Sequence, residues 1–169
     1  MRCRPALAAL ATAVLATACG GGGAAAPPTT SARGFPLGDL TVQRGGATVL
    51  SLTVEVADNQ AAWEKGLMGV TALGEEQGMA FIFPEVQGAQ FWMKDTLIPL
   101  DIAFWDAAGR VVGVETMTPC SVDPCQVYSS PQPYLGAVEV RGGLLGKVGV
   151  RTGDVVHFTR RGHTAAASP

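Results

Sequence analysis

The chain has 169 residues, 47% of them hydrophobic and 15% charged, with a formal net charge of −2. Of its twelve Lys/Arg residues, Arg2, Arg4, Arg33, Arg160 and Arg161 lie outside 34–159, so that span sets seven basic side chains against all fourteen acidic ones. A net charge of −7 there is the wrong sign for neutralising phosphates, which argues against nucleic acid as a partner and against an anionic membrane surface touching the domain itself.

Arg2 and Arg4 precede an uncharged run, Pro5 to Ala18, that ends Ala16-Thr17-Ala18-Cys19-Gly20. The run has the length of a signal h-region and is shorter than the roughly 20 apolar residues a membrane span needs. Small residues before Cys19 resemble a lipobox, so residues 1–19 are expected to be a lipoprotein signal peptide with Cys19 lipidated. An ordinary cleaved signal, with Cys19 incidental, is the alternative. Residues 20–34, rich in Gly, Ala and Pro, are expected to be a flexible tether of roughly 20 Å r.m.s. span. The expected location is the extracytoplasmic side of the cell membrane, anchored by lipid.

The domain is expected over 35–160, with 161–169 as a frayed tail. Gly38–Gln43 and Thr48–Ala57 read as a hairpin around Arg44-Gly45-Gly46; in the second, Leu50, Leu52, Val54 and Val56 alternate with polar positions. Asp58 offers an N-cap to a short helix from Asn59 to Met68 ending near Gly69, with Trp63 and Leu67 on one buried face. Strands follow at Gly78–Phe83, stopped by Pro84, then at Ala89–Lys94, Leu100–Trp105, Arg110–Met117, Tyr134–Val140 and Asp154–Thr159. A Pro-rich loop spans Thr118 to Pro133, and Arg141–Gly149 has room for a helical turn. About eight short strands with one short helix, and no βαβ alternation, predict a mostly β, single compact sandwich or barrel.

Four cysteines are present. With Cys3 in the signal and Cys19 on lipid, Cys120 and Cys125 remain as a pair in an oxidising location, and the intervening Ser-Val-Asp-Pro favours a turn that brings them together. A structural disulfide is the expected reading. A redox pair usually has two intervening residues, not four, and a zinc site lacks ligands, because only His157 and His163 are available to add. No metal and no cofactor is expected.

In the strand around Trp92, Gln90, Trp92 and Lys94 point one way and Phe91 and Met93 the other. Asp95, Thr96 and Asp101 flank the Ile98-Pro99 turn. Trp92, Lys94, Asp95, Thr96 and Asp101 are therefore the candidate ligand contacts, an aromatic plane with charged and hydroxyl neighbours suited to an envelope glycan fragment or another small polar ligand. The structural alternative makes Trp92 core and Lys94 a partner of Asp95 or Asp101. A second alternative is an envelope hydrolase dividing acid and base roles among Asp101, Asp95 and Glu139. A third is Cu(I) held by the thioethers of Met68, Met79, Met93 and Met117, against a plain gap-filling role for the same residues. With no nucleophile motif, a non-catalytic binding or accessory role is favoured.

Gly66-Leu67-Met68, Gly78-Met79-Ala80-Phe81-Ile82-Phe83 and above all Phe91-Trp92-Met93-Lys94-Asp95-Thr96-Leu97-Ile98-Pro99-Leu100-Asp101 resemble the motifs of the domain-of-unknown-function 192 family. Tyr128, Val138-Glu139-Val140 and Gly153-Asp154 fit as well, so the resemblance covers about residues 38–159. Asp95 stands where the family motif carries Asn. The resemblance implies a compact, mostly β, jelly-roll-like fold and no settled activity.

If Cys19 is the anchor, Cys19→Ser is released as soluble protein after signal cleavage. Membrane fractionation checks this, and a variant that stays with the membranes refutes the anchor.

Overall fold

The computed structural model describes residues 26–162; the run expected to be a signal, with Cys19, and residues 163–169 lie outside them. Within them the chain is mostly β: nine strands and two short helices. β1 (Leu37–Arg44) and β2 (Ala47–Ala57) form the expected hairpin, with Leu50, Leu52, Val54 and Val56 buried. α1 (Gln60–Lys65) leads to β3 (Gln77–Gln87), β4 (Gln90–Trp92), β5 (Leu100–Trp105) and β6 (Val111–Met117). β7 (Val127–Ser129), β8 (Tyr134–Arg141), α2 (Leu144–Val148) and β9 (Val155–Arg160) complete the chain.

Seven strands form one sheet in the order β6-β5-β8-β3-β2-β1-β9, and β4 pairs with β7 in a separate ribbon. β2 and β3 pair in parallel, across a connection that contains α1. Reading the pattern as having no βαβ alternation missed this unit, because a single parallel pair leaves no repeating signature; its crossover is long enough to return the chain to the same end of the sheet. The sheet curls until its edge strands touch at one end. Arg110 bridges Val155, and Val156 N–H donates to Gly109 O at 2.7 Å. There is no closed barrel; the packing is sandwich-like.

Local chemistry explains the other differences. Asn59, not Asp58, caps α1: its side chain accepts from Ala62 N–H at 3.1 Å, while Asp58 pairs with Arg160 at 2.6 Å. Gly66, at φ 43°, ends the helix before Met68. β3 runs through Pro84 to Gln87, beyond a register break in its pairing with β8, where the proline's missing N–H leaves no ladder bond unmade. The chain lies against the domain from Thr29 onward: Leu37 N–H donates to Thr29 O at 2.8 Å, and Arg33 pairs with Glu55 at 2.6 Å. Cys120 and Cys125 form the expected disulfide, with Cα atoms 5.8 Å apart.

The central strands are buried on both faces. One face of the curled sheet packs Leu40, Val54, Val138, Val140 and Trp105 with Leu144 and Leu145 of α2. The other packs Met79, Phe81, Phe83, Ile102, Phe104 and Ala137 under α1, Leu67, Met93 and Tyr128. Asp154 fastens the turn before β9 to the end of β1. Its carboxylate accepts from Arg44 Nε and Nη2, both at 2.8 Å, and from Arg151 N–H at 2.9 Å. The Arg44 guanidinium holds it below the usual carboxylate range.

Trp105 lies directly over Gly136, its register partner on β8, and a Cβ at 136 would sit 2.3 Å from the indole ring. Gly136→Ala is therefore expected to destabilise the domain by about 1–3 kcal/mol, as overpacking does. Urea unfolding checks this; an unchanged midpoint would show that the indole moves freely.

Candidate functional site

The five residues expected to form one ligand surface are divided by the structure. Trp92 is 53% exposed and lines a cavity, and Thr96 is buried in the same cavity wall. The other three lie elsewhere. Lys94 Nζ pairs with Asp123 Oδ2 at 2.5 Å, neither of the partners expected for it, and Asp123 lies in the disulfide loop. Asp95 is exposed with φ 54°, a left-handed conformation that Asp and Asn tolerate best among residues with a side chain. Its backbone ties the loops together: Asp95 N–H donates to Cys120 O at 3.1 Å and Gly69 N–H donates to Asp95 O at 3.0 Å. The position is one for backbone shape, which the Asn of the family motif serves equally.

Asp101 is 2% exposed and fully engaged. Thr116 Oγ1 donates to its Oδ1 at 2.8 Å, and Leu145 N–H donates to its Oδ2 at 2.9 Å. Gly143, the residue before α2, has no side chain to cap the helix, so Asp101 of β5 supplies the acceptor from a distant part of the chain. The hydrolase trio is not assembled. Asp101 pairs in register with Val140 and Glu139 with Ile102, so the two carboxyls project from opposite faces of the sheet, and Asp95 is on an exposed turn. Met79, Met93 and Met117 are buried in the aromatic core, and Met68 lines the cavity. Among the described residues no cluster of His, Cys, Asp or Glu has metal-ligand geometry.

The cavity, about 320 Å³, lies between the sheet and α1. α1 and the turn after it supply Trp63, Gly66 and Met68, β3 supplies Phe81 and Phe83, and β4 supplies Phe91 and Trp92. The rings brace one another: Trp63 against Phe83 at 5.0 Å and Phe81 edge-on to Phe91 at 5.0 Å. Trp63 Nε1 donates to Ala57 O at 3.0 Å, which fixes the indole as a wall. A larger hollow, about 440 Å³, lies beneath the Thr30–Arg33 turn, but its two charged groups, Arg33 and Glu55, satisfy each other.

Glu139 of β8 also lines the aromatic cavity. It is 5% exposed, and no hydrogen bond or ion pair among the described residues offsets its burial. None of its side-chain atoms is sealed off without a partner, so the carboxyl keeps a narrow opening to the cavity. Burial pushes its pKa up to about 8, because an apolar environment penalises the charged form. A carboxyl that is protonated near neutrality in an aromatic cleft is the strongest chemical feature of the molecule. The sequence places it in the hydrolase trio and in the family motif Val138-Glu139-Val140, and not among the ligand contacts. The available signal was an acidic residue in the middle of Ala137-Val138-Glu139-Val140.

The raised pKa has a definite sign in stability. The folded state holds the proton up to about pH 8, whereas the unfolded chain releases it near the ordinary 4.5. The native state is favoured by this group below the lower value and loses that advantage as pH rises through the upper one. Glu139→Gln has no proton to lose. Its stability relative to the native chain is expected to climb between pH 5 and 8 by up to about 1.4 kcal/mol per pH unit. Urea unfolding across that range checks this, and parallel stability curves would show a hydrated carboxyl.

Comparison with curated proteins finds no match. Among solved structures, a protein of unknown function from Novosphingobium aromaticivorans is 33% identical, with a TM-score of 0.72 over 79% of this chain and 94% of that one. A putative transcription regulator from Sinorhizobium meliloti is 28% identical, with a TM-score of 0.68 over 73% of this chain and 95% of that one. The profile of the DUF192 family, described as an uncharacterized ACR, matches residues 40–158. With that match spanning the sheet, both helices and the cavity, the chain belongs to the DUF192 family.

Proposed function

We propose that this protein is an exported, lipid-anchored binding module that takes a small ligand of the cell envelope in the cavity between α1 and the sheet. The observation that carries the reading is Glu139, a buried carboxyl that has no partner among the described residues and lines an aromatic cleft. Folding does not retain an unpaired acid in an apolar layer for stability, because its desolvation is unrepaid. A volume of about 320 Å³ is within the range of small-ligand sites. The aromatic walls suit a ligand with an apolar face, and Thr96 and Glu139 suit a polar group at its buried end. The anchoring part of the reading rests on the lipobox-like run ending in Cys19.

The Sinorhizobium protein's description as a putative transcription regulator is not extended to this chain, because seven basic against fourteen acidic residues across 34–159 oppose a phosphate backbone. Catalysis by paired carboxylates is not proposed either, because Asp101 is engaged on the far face of the sheet.

A small-fragment screen by thermal shift tests the reading. At least one fragment class is expected to raise the melting temperature of the full chain. Trp92→Ala, at the cavity rim, should weaken that response, and Lys94→Ala, outside the cavity, should leave it unchanged. No response to any fragment, or one indifferent to Trp92→Ala, overturns the binding role.

A further inference from the structure

The groups packed around Glu139 leave its charge unanswered from every side. β3 presents Met79, Phe81 and Phe83 to it, and β5 presents Ile102 and Phe104. Beyond these, in the same row across the sheet, stand Glu115 on β6 and Glu55 on β2, each two strands away. Glu55 is taken up by Arg33. The covering layer adds Phe91, Trp92 and Thr96, none of them cationic. α1 contributes one acid, Glu64, and one cation, Lys65, both exposed and neither ion-paired with Glu139, and Gln60 Nε2 donates to Glu64 at 2.6 Å. No cation of the described chain forms an ion pair with Glu139, and the nearest acids in its row share its sign.

The rings compound the preference. Trp63, Phe81, Phe83, Phe91 and Trp92 all line the cavity. Aromatic faces attract cations and gain most when the site is desolvated. A carboxylate under several rings is an environment that favours positive charge and repels negative charge.

We propose that the cavity binds an organic cation, a primary ammonium or amidinium on an apolar body, with its charged head on the Glu139 carboxylate and its body against the aromatic walls. This rests on the binding-module reading above and specifies its ligand class. Binding is coupled to a proton. In the empty cavity Glu139 carries its proton on the carboxyl. When the cation enters, the O–H bond breaks, the electron pair stays on the carboxylate oxygen, and the proton leaves to solvent. The ion pair formed offsets the cost of leaving the carboxylate charged in a buried site. Below the carboxyl's titration near pH 8 one proton is released per ligand bound.

Isothermal titration of the full chain in detergent with three probes of one shape tests this: benzylammonium, neutral benzyl alcohol and anionic benzoate. Benzylammonium is expected to bind tightest. Its affinity should rise about tenfold per pH unit from pH 6 to 7.5 and flatten above pH 8. Titrations in buffers of different ionisation enthalpy should report one proton released at pH 6.5. Glu139→Gln, its folding verified by circular dichroism, should weaken benzylammonium at least tenfold at pH 8 and abolish the pH dependence. If benzyl alcohol or benzoate binds as tightly as benzylammonium, the cation preference is overturned while the cavity stands as a binding site. Equal affinity in Glu139→Gln, or no benzylammonium binding at millimolar concentration, also overturns it. The broader role is judged separately by the fragment screen.

Discussion

Burial of the sheet on both of its faces is the constraint on which the remainder of this fold depends. β3, β8 and β5 lie at the centre of the seven strands, with the curled interior and α2 on one side and α1 with the β4-β7 ribbon on the other. Neither layer alone offers these strands a dry environment. Together they turn what would be a half-exposed sheet into a three-layer structure, with an aromatic layer between the sheet and its cover. The cavity is the part of that layer which the cover does not fill.

Three carboxyls are buried in this framework, and their fates differ for a physical reason. Asp101 accepts from Thr116 and from the first turn of α2, and so fixes the helix to the sheet. Asp154 accepts from Arg44 and Arg151 and fastens the turn before β9 to β1. Each offsets its desolvation with hydrogen bonds that also join distant segments. Glu139 joins nothing. It faces rings and methionines, keeps its proton near neutrality, and opens on space. The first two are explained by architecture alone, whereas the third is the observation on which the proposed binding role rests.

The long motif from Phe91 to Asp101 gains a different meaning from the one its composition suggests. Its residue types are those of a ligand surface, but most of them build the cover. Phe91 and Met93 enter the aromatic layer, Lys94 reaches the disulfide loop, Asp95 makes a left-handed turn that ties that loop to Gly69, and Asp101 crosses to α2. Of the motif's residues, Phe91, Trp92 and Thr96 face the cavity. The motif is thus mainly a device for holding the cover at a fixed distance from the sheet, and that distance is what leaves the cavity open.

The sequence by itself determined the strand-rich class, the β1-β2 hairpin, most strand positions and the Cys120–Cys125 pairing. These rest on short-range signals: period-two alternation, turn residues, and two cysteines close in the chain across a turn-forming segment. Only the tertiary structure decided which side chains meet. In a sheet covered on one face, Glu139 would be an ordinary solvent-facing residue alternating with Val138 and Val140, and nothing local distinguishes that case from the real one. Likewise the acceptor that α2 needs comes from Asp101, 44 residues away in sequence, and no pattern near either residue encodes the contact. Periodicity reports which residues share a face; whether that face is wet or dry depends on which layer folds over it, and that is a property of the whole chain.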